Sequence, residues 1–238
     1  MEAKLTELVS RLRTAAGENL VSVVLYGSAV TGEYVSGRSN LNVLCLVRHA
    51  AAEQLEELHP AVEWWSRQGQ PPPLVFTIDE LHHSADVFAI ELLDIKQQHR
   101  ILFGDDFLAE FIVPLQLHRL QVERELRTDW LRFRQALLVA PYKNKIRVSL
   151  MLDSVSSFCS LFRHGLFALG QGMPAGKRDS IVGVASVTGA DPSAFQQILD
   201  LREGKRAIHD LDVEVVLHNY LVFVEVFADE IDRRFAAS

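Results

Sequence analysis

Two short apolar runs joined through a glycine-serine turn constrain this chain more than any other feature. Leu20 to Tyr26 reads LVSVVLY and Leu41 to Val47 reads LNVLCLV. Both are short, rich in β-branched residues and bounded by glycine or polar residues, a pattern that predicts buried strands. Gly27-Ser28 closes the first run in a turn. A polar stretch containing Gly32 and Ser39 then leads to Asn40-Leu41-Asn42, where the second run begins.

The flanking sequence supplies helices. Leu5, Leu8, Val9 and Leu12 fall at i, i+3, i+4 and i+7, which predicts an amphipathic helix over residues 3 to 16. A second helix is expected from Ala51 to Arg67. Pro71-Pro72-Pro73 cannot continue it and leads into a third strand, Leu74 to Ile78 (LVFTI), after which Asp79-Glu80-Leu81 opens another helix. Ile101 to Asp106 reads as a short strand and turn. From about Pro114 the character changes: Leu117, Leu120, Val122, Leu126, Trp130, Phe133 and Leu137 are expected on one broad helical face. Further helices are expected near 143–170, 191–201 and 212–235, with loops at Gly170 to Pro174 and Thr188 to Pro192. The implied fold class is α+β, a mixed sheet with flanking helices over residues 1–110 followed by an all-α helical bundle over 111–238.

Composition narrows the function. The 238 residues are 48% hydrophobic, enough to bury a core in each part, and carry a formal charge of -7. That balance argues against a general nucleic-acid coat, which needs surplus Lys and Arg. Cys45 and Cys159 each sit in an apolar stretch, so buried thiols are expected rather than a disulfide framework. No apolar run approaches the ~18 residues of a membrane helix, and the opening residues have no signal-like apolar core. A cytoplasmic protein without a membrane segment is the expectation.

The stretch LYGSAVTGEYVSGRSNLNVLCLV, Leu25 to Val47, resembles the signature of the polymerase-β-like nucleotidyltransferases, particularly the small ones that modify antibiotics. In that family a strand ends in Gly-Ser, a short helix begins there, and the next strand carries Asp-x-Asp. Gly27, Ser28, Gly32 and Ser39 match. The resemblance implies a nucleotidyltransferase-like sheet with a triphosphate pocket. Glycine lets the backbone approach phosphate, while the serine hydroxyl and exposed amides donate to its oxygens. Residues i and i+2 of a strand share a face, so Asp-x-Asp would set two carboxylates side by side. With a third carboxylate from a neighbouring strand they would hold two metal ions that activate the attacking hydroxyl and stabilise pyrophosphate.

Here Asn40 and Asn42 stand at the two aspartate positions, and the strand LVFT offers only apolar residues and Thr77 before Asp79. An asparagine presents a carbonyl oxygen but no charge to offset a divalent cation or accept a proton. The expectation is a nucleotidyltransferase-fold protein with a degenerate motif, with no catalytic residue and no metal ligand assigned. It would hold a nucleotide or another phosphate-containing small molecule through Gly27, Ser28, Arg38, Asn40 and Asn42. No cofactor is expected; Mg²⁺ and a nucleoside triphosphate enter only if activity is retained. That alternative is an active enzyme transferring a nucleoside monophosphate to a small molecule or protein, using relocated carboxylates such as Asp79 or Glu33. A third reading, from another class, is a protein-interaction module or homodimer. Arg48 flanks the second strand and reads as a solvated charge before a phosphate contact.

Other features are weighed beside these. Ser84 to Phe88, Glu91 to Asp94 and His99 to Asp105 are similar to the closing segment of the same small nucleotidyltransferases, which ends in leucine, aromatic, glycine, acid. Asp86, Glu91 and Asp94 lie at helical spacings and suit salt bridges before a relocated base. His82-His83 point in different directions on a helix and have no third ligand at metal spacing. Arg202 and His209 resemble the loose ribonuclease motif of the HEPN helical family, with Gly204 interrupting it. Trp64-Trp65, Trp130 and Phe133 suit core packing.

Overall fold

The structure is a computed structural model that describes residues 1–32, 34 and 39–236. Its contacts divide the chain into two compact units, Met1–Gln116 and Leu117–Ser238.

The first unit is built on a four-stranded sheet. In chain order it contains α1 (Glu2–Ala16), β1 (Leu20–Tyr26), α2 (Ser28–Thr31), β2 (Asn42–Val47), α3 (Ala52–Arg67), β3 (Leu74–Thr77), α4 (Ile78–His83), α5 (Ala89–Gln97) and β4 (His99–Gly104). The strand order is β3-β2-β1-β4. β1 pairs antiparallel with both β2 and β4, whereas β2 and β3 run parallel. The sheet is therefore mixed, and the parallel pair is joined by α3, as a crossover connection requires.

Both faces of the sheet are covered, which is why β1 and β2 read as nearly continuous apolar runs. On one face Val23, Leu25, Val43, Cys45 and Val47 pack with Leu5, Leu8 and Leu12 of α1 and with Leu58, Ala61 and Trp65 of α3. On the other, Val24, Leu44 and Leu46 pack with Leu81, Ala85, Ala89, Leu92 and Ile95, and with Leu108 and Phe111 of the following segment. Thr77 caps α4 in a reciprocal box with Glu80, whose carboxylate accepts the Thr77 amide at 2.8 Å. The polar exception inside β1 is Ser22, fully buried, its hydroxyl 2.9 Å from the Asp105 carbonyl.

Gly104 ends β4 with φ 77° against the start of β1. A Cβ there would lie 2.0 Å from the Val21 carbonyl oxygen, so the glycine of the leucine-aromatic-glycine-acid run is fixed by strand approach.

The second unit is helical: α6 (His118–Val139), α7 (Asn144–Ala168), α8 (Lys177–Thr188), α9 (Ser193–Arg202) and α10 (Val213–Ala236). Its core is a stack of aromatic rings. Phe195 lies parallel on Tyr220 with centroids 4.0 Å apart, Phe158 stacks on Phe162 at 6.3 Å, and the other contacts among these rings, Phe223 and Phe227 are edge-on or tilted. Ser154 bonds the Tyr220 hydroxyl at 2.9 Å, which satisfies it in a site where burial raises its pKa well above the usual value. Gly165 and Gly183 let helices approach closely. A Cβ on Gly165 would meet Phe227 at 2.7 Å, and one on Gly183 would meet Leu166 at 2.6 Å.

The periodicity of the sequence offers no helix between 170 and 191, yet α8 occupies 177–188. Its residues include Gly183 and five β-branched side chains, Ile181, Val182, Val184, Val187 and Thr188, poor helix formers that tertiary packing overrides. No helix among the described residues is long and apolar enough to cross a membrane.

Candidate functional site

β1, the turn after it and the start of β2 bring the sequence-selected residues together. Gly27 has φ 76° and ψ -153°, a combination open essentially to glycine alone, and it leads straight into the single turn of α2. Gly32 ends that turn in the left-handed conformation. Asn42 opens β2 as the direct partner of Tyr26, the last residue of β1. Its side chain turns toward the glycine: a methyl group on Gly27 would lie 3.0 Å from Asn42 Nδ2. Gly27, Ser28 and Asn42 thus form one locus, in which Ser28 and Asn42 are half-buried.

Asn40 lies just outside the strand, which begins at Asn42 rather than Leu41, and it is exposed. The lead-in is held by a partner that the sequence does not advertise: Gln70, beyond α3, accepts the Leu41 amide at 2.7 Å through its Oε1. Arg38 and Glu33 lie outside the described residues. Arg48 is exposed at the other end of β2 and donates to the Glu18 carbonyl at 3.0 Å, a local clasp.

Strand register decides which other groups reach this locus. Asn42 shares a face with Leu44 and Leu46, and across β3 that face continues through Leu74, the partner of Leu44, and Phe76. The neighbouring strand therefore presents Leu74, 41% exposed, on this face. Asp79 follows Thr77, which pairs with Val47. It stands past the far end of β2, roughly 16 Å of strand away from Asn42 at about 3.3 Å per residue. The register thus puts Asp79 and Asn42 at opposite ends of β2.

Glu91 is different. Helix α5 lies on the same face of the sheet through Ala89, Leu92 and Ile95, and the Glu91 charge reaches Tyr26. Burial first and this charge second raise the Tyr26 hydroxyl above its ordinary pKa. His99 pairs with Tyr26 on its other side. Its Nδ1 lies 3.0 Å from the Ile95 carbonyl and its Nε2 lies 3.1 Å from Asp106, which also accepts the amides of Leu108 and Ala109. Tyr26 and His99 acquire their place from strand pairing and Glu91 from the packing of α5, signals absent from linear spacing.

Asn40, Asn42 and Leu74 bring no formal charge, and among the described residues no group of three or more His, Cys, Asp or Glu could hold a metal ion. Elsewhere, Arg202 and His209 are not on one helix. α9 ends at Arg202, Gly204 takes φ 75°, and Arg202 donates to the Leu152 carbonyl at 3.0 Å while His209 is exposed. His82 packs against Phe111, with ring centroids 5.1 Å apart.

Cys45 is buried in β2, and burial pushes its thiol up to about 12. Cys159 is buried in α7. Neither thiol should react with a bulky maleimide in the folded protein within minutes, and both should label after denaturation, as mass spectrometry would read; rapid native labelling would contradict this packing.

No protein-family model matches the sequence, and no curated protein matches it. Among solved structures, the chain is similar to a spectinomycin adenyltransferase from Enterococcus faecialis, determined with ATP and spectinomycin. The TM-score is 0.58 at 12% identity, over 94% of this chain and 99% of that one. The likeness establishes the fold, a nucleotidyltransferase-like α+β arrangement with a mixed sheet and a helical C-terminal region.

Proposed function

We propose that this nucleotidyltransferase-fold protein has lost the two-metal reaction and serves as a binding protein for a nucleotide or another phosphate-bearing small molecule. The observation that carries the reading is Asn42, an uncharged amide set against the Gly27 turn where the fold calls for an acid. The Asn42 side chain lies against Gly27, and the Ser28 hydroxyl and Asn42 amide supply donors to a phosphate; Arg38 and Asn40 are assigned to the same ligand from the sequence. A carboxylate at Asn42 would repel phosphate unless a metal lay between them. An amide binds it without that help. The neighbour's ATP supports a nucleotide as the ligand.

Calorimetric titration of the full chain with ATP, with and without Mg²⁺, tests this. Binding is expected in the absence of metal, and pyrophosphate release is expected to be undetectable with Mg²⁺ or Mn²⁺. If neither condition shows binding, the ligand-binding reading fails. Glu91 favours a second reading, an active transferase with a displaced acid on α5; steady pyrophosphate release abolished by Glu91→Gln would establish it in place of the first.

A further inference from the structure

The final row of the sheet, where β1 closes and β2 opens, is polar across three adjacent strands. Tyr26 is the Cα partner of Asn42 on one side and of His99 on the other. Directly paired residues project to the same face, at strand spacings of about 4.8 Å. One step further in, that face turns apolar, through Val24, Leu44 and Ile101. His99 is engaged by the Ile95 carbonyl and by Asp106. Tyr26 and Asn42 are the members of the row that adjoin Gly27.

Resting on the binding function proposed above, we propose that the Tyr26 hydroxyl donates directly to the phosphate ligand, taking the place a metal ion would fill, so that the site selects the metal-free form of a nucleotide. The half-buried phenol is protonated through the neutral range as any tyrosine is, and burial and then Glu91 hold it further from ionising. It is therefore a donor and never an anion where the phosphate arrives. Together with the Asn42 amide it makes an uncharged pair that favours an anion without attracting a cation. Magnesium bound to the triphosphate lowers the negative charge offered to these donors and finds no carboxylate in the row. Glu91 acts in the opposite sense, since its charge lies within reach of the same hydroxyl and opposes an incoming phosphate.

Three full-length proteins test this: wild type, Tyr26→Phe and Glu91→Gln, each titrated with ATP and with inorganic tripolyphosphate, in EDTA and in excess Mg²⁺. Tyr26→Phe is expected to weaken both ligands about tenfold or more in EDTA, the scale of a hydrogen bond to a charged group. Glu91→Gln should strengthen both, and Mg²⁺ should weaken binding to wild type. Equal melting temperatures would exclude misfolding as the cause. Unchanged affinity in Tyr26→Phe, an effect on ATP alone, or wild-type binding that requires Mg²⁺ would each overturn the proposal while leaving ligand binding itself intact. Absence of binding by wild type removes the underlying function as well.

Discussion

Replacing Asn40 and Asn42 together by aspartate is expected to convert a chain indifferent to Mg²⁺ into one whose stability and Mg²⁺ affinity depend on it. The two residues sit at i and i+2 at the mouth of β2, with Asn42 directly against Gly27. Two carboxylates there would repel one another, at about 1 kcal/mol for unit charges ~4 Å apart in water and more where water is partly excluded. In EDTA the double variant should therefore unfold at lower denaturant than wild type. Excess Mg²⁺ should reverse the loss, because cation affinity follows the charge count of the ligand set. Wild type should show no such reversal. Mn²⁺ titration followed by electron paramagnetic resonance should give at least a tenfold gain in affinity for the variant. A double variant as indifferent to Mg²⁺ as wild type would mean that the strand mouth no longer has the geometry of a metal site, and that the loss went beyond its charges.

A single methyl group on Gly104 is expected to destabilise the protein by on the order of 3 kcal/mol, combining a positive-φ penalty of about 1–2 kcal/mol with the cost of overpacking. The comparison that isolates the packing part is Gly69→Ala. Gly69 has φ 75°, nearly the 77° of Gly104, but a Cβ there meets nothing within 4 Å, whereas at Gly104 it would meet the Val21 carbonyl oxygen at 2.0 Å. Urea denaturation should give Gly69→Ala only the backbone penalty and Gly104→Ala roughly 1–3 kcal/mol more. Since β4 pairs with β1 and carries His99 to Tyr26, Gly104→Ala should also disturb the polar row at the other end of the strand. Equal losses in the two variants would refute the close approach of β1 and β4.

The candidate site was only partly legible beforehand. Gly27, Ser28 and Asn42 could be picked out because their chemistry and spacing are local, and the structure brings them together. Asp79 lies only two residues beyond the β3 run in sequence. Parallel pairing of β3 with β2 sends it to the far end of the sheet. Glu91 read as a helical surface acid, and helix packing brings its charge to Tyr26. Gln70 lies 29 residues from the Leu41 amide it accepts, and nothing nearby in sequence signals that bond.

From its sequence alone this protein was committed to buried strands at Leu20–Tyr26 and near Leu41–Val47, an amphipathic first helix, a glycine-serine turn and the uncharged pair Asn40 and Asn42. Those properties depend on hydrophobic period, turn chemistry and formal charge, each carried within a few residues. Strand order, the Tyr26–Asn42–His99 row, the clash that reserves position 104 for glycine and the formation of α8 were settled only in the folded chain. They depend on which distant segments become neighbours, and that choice is made by the burial of whole faces, which no local pattern encodes.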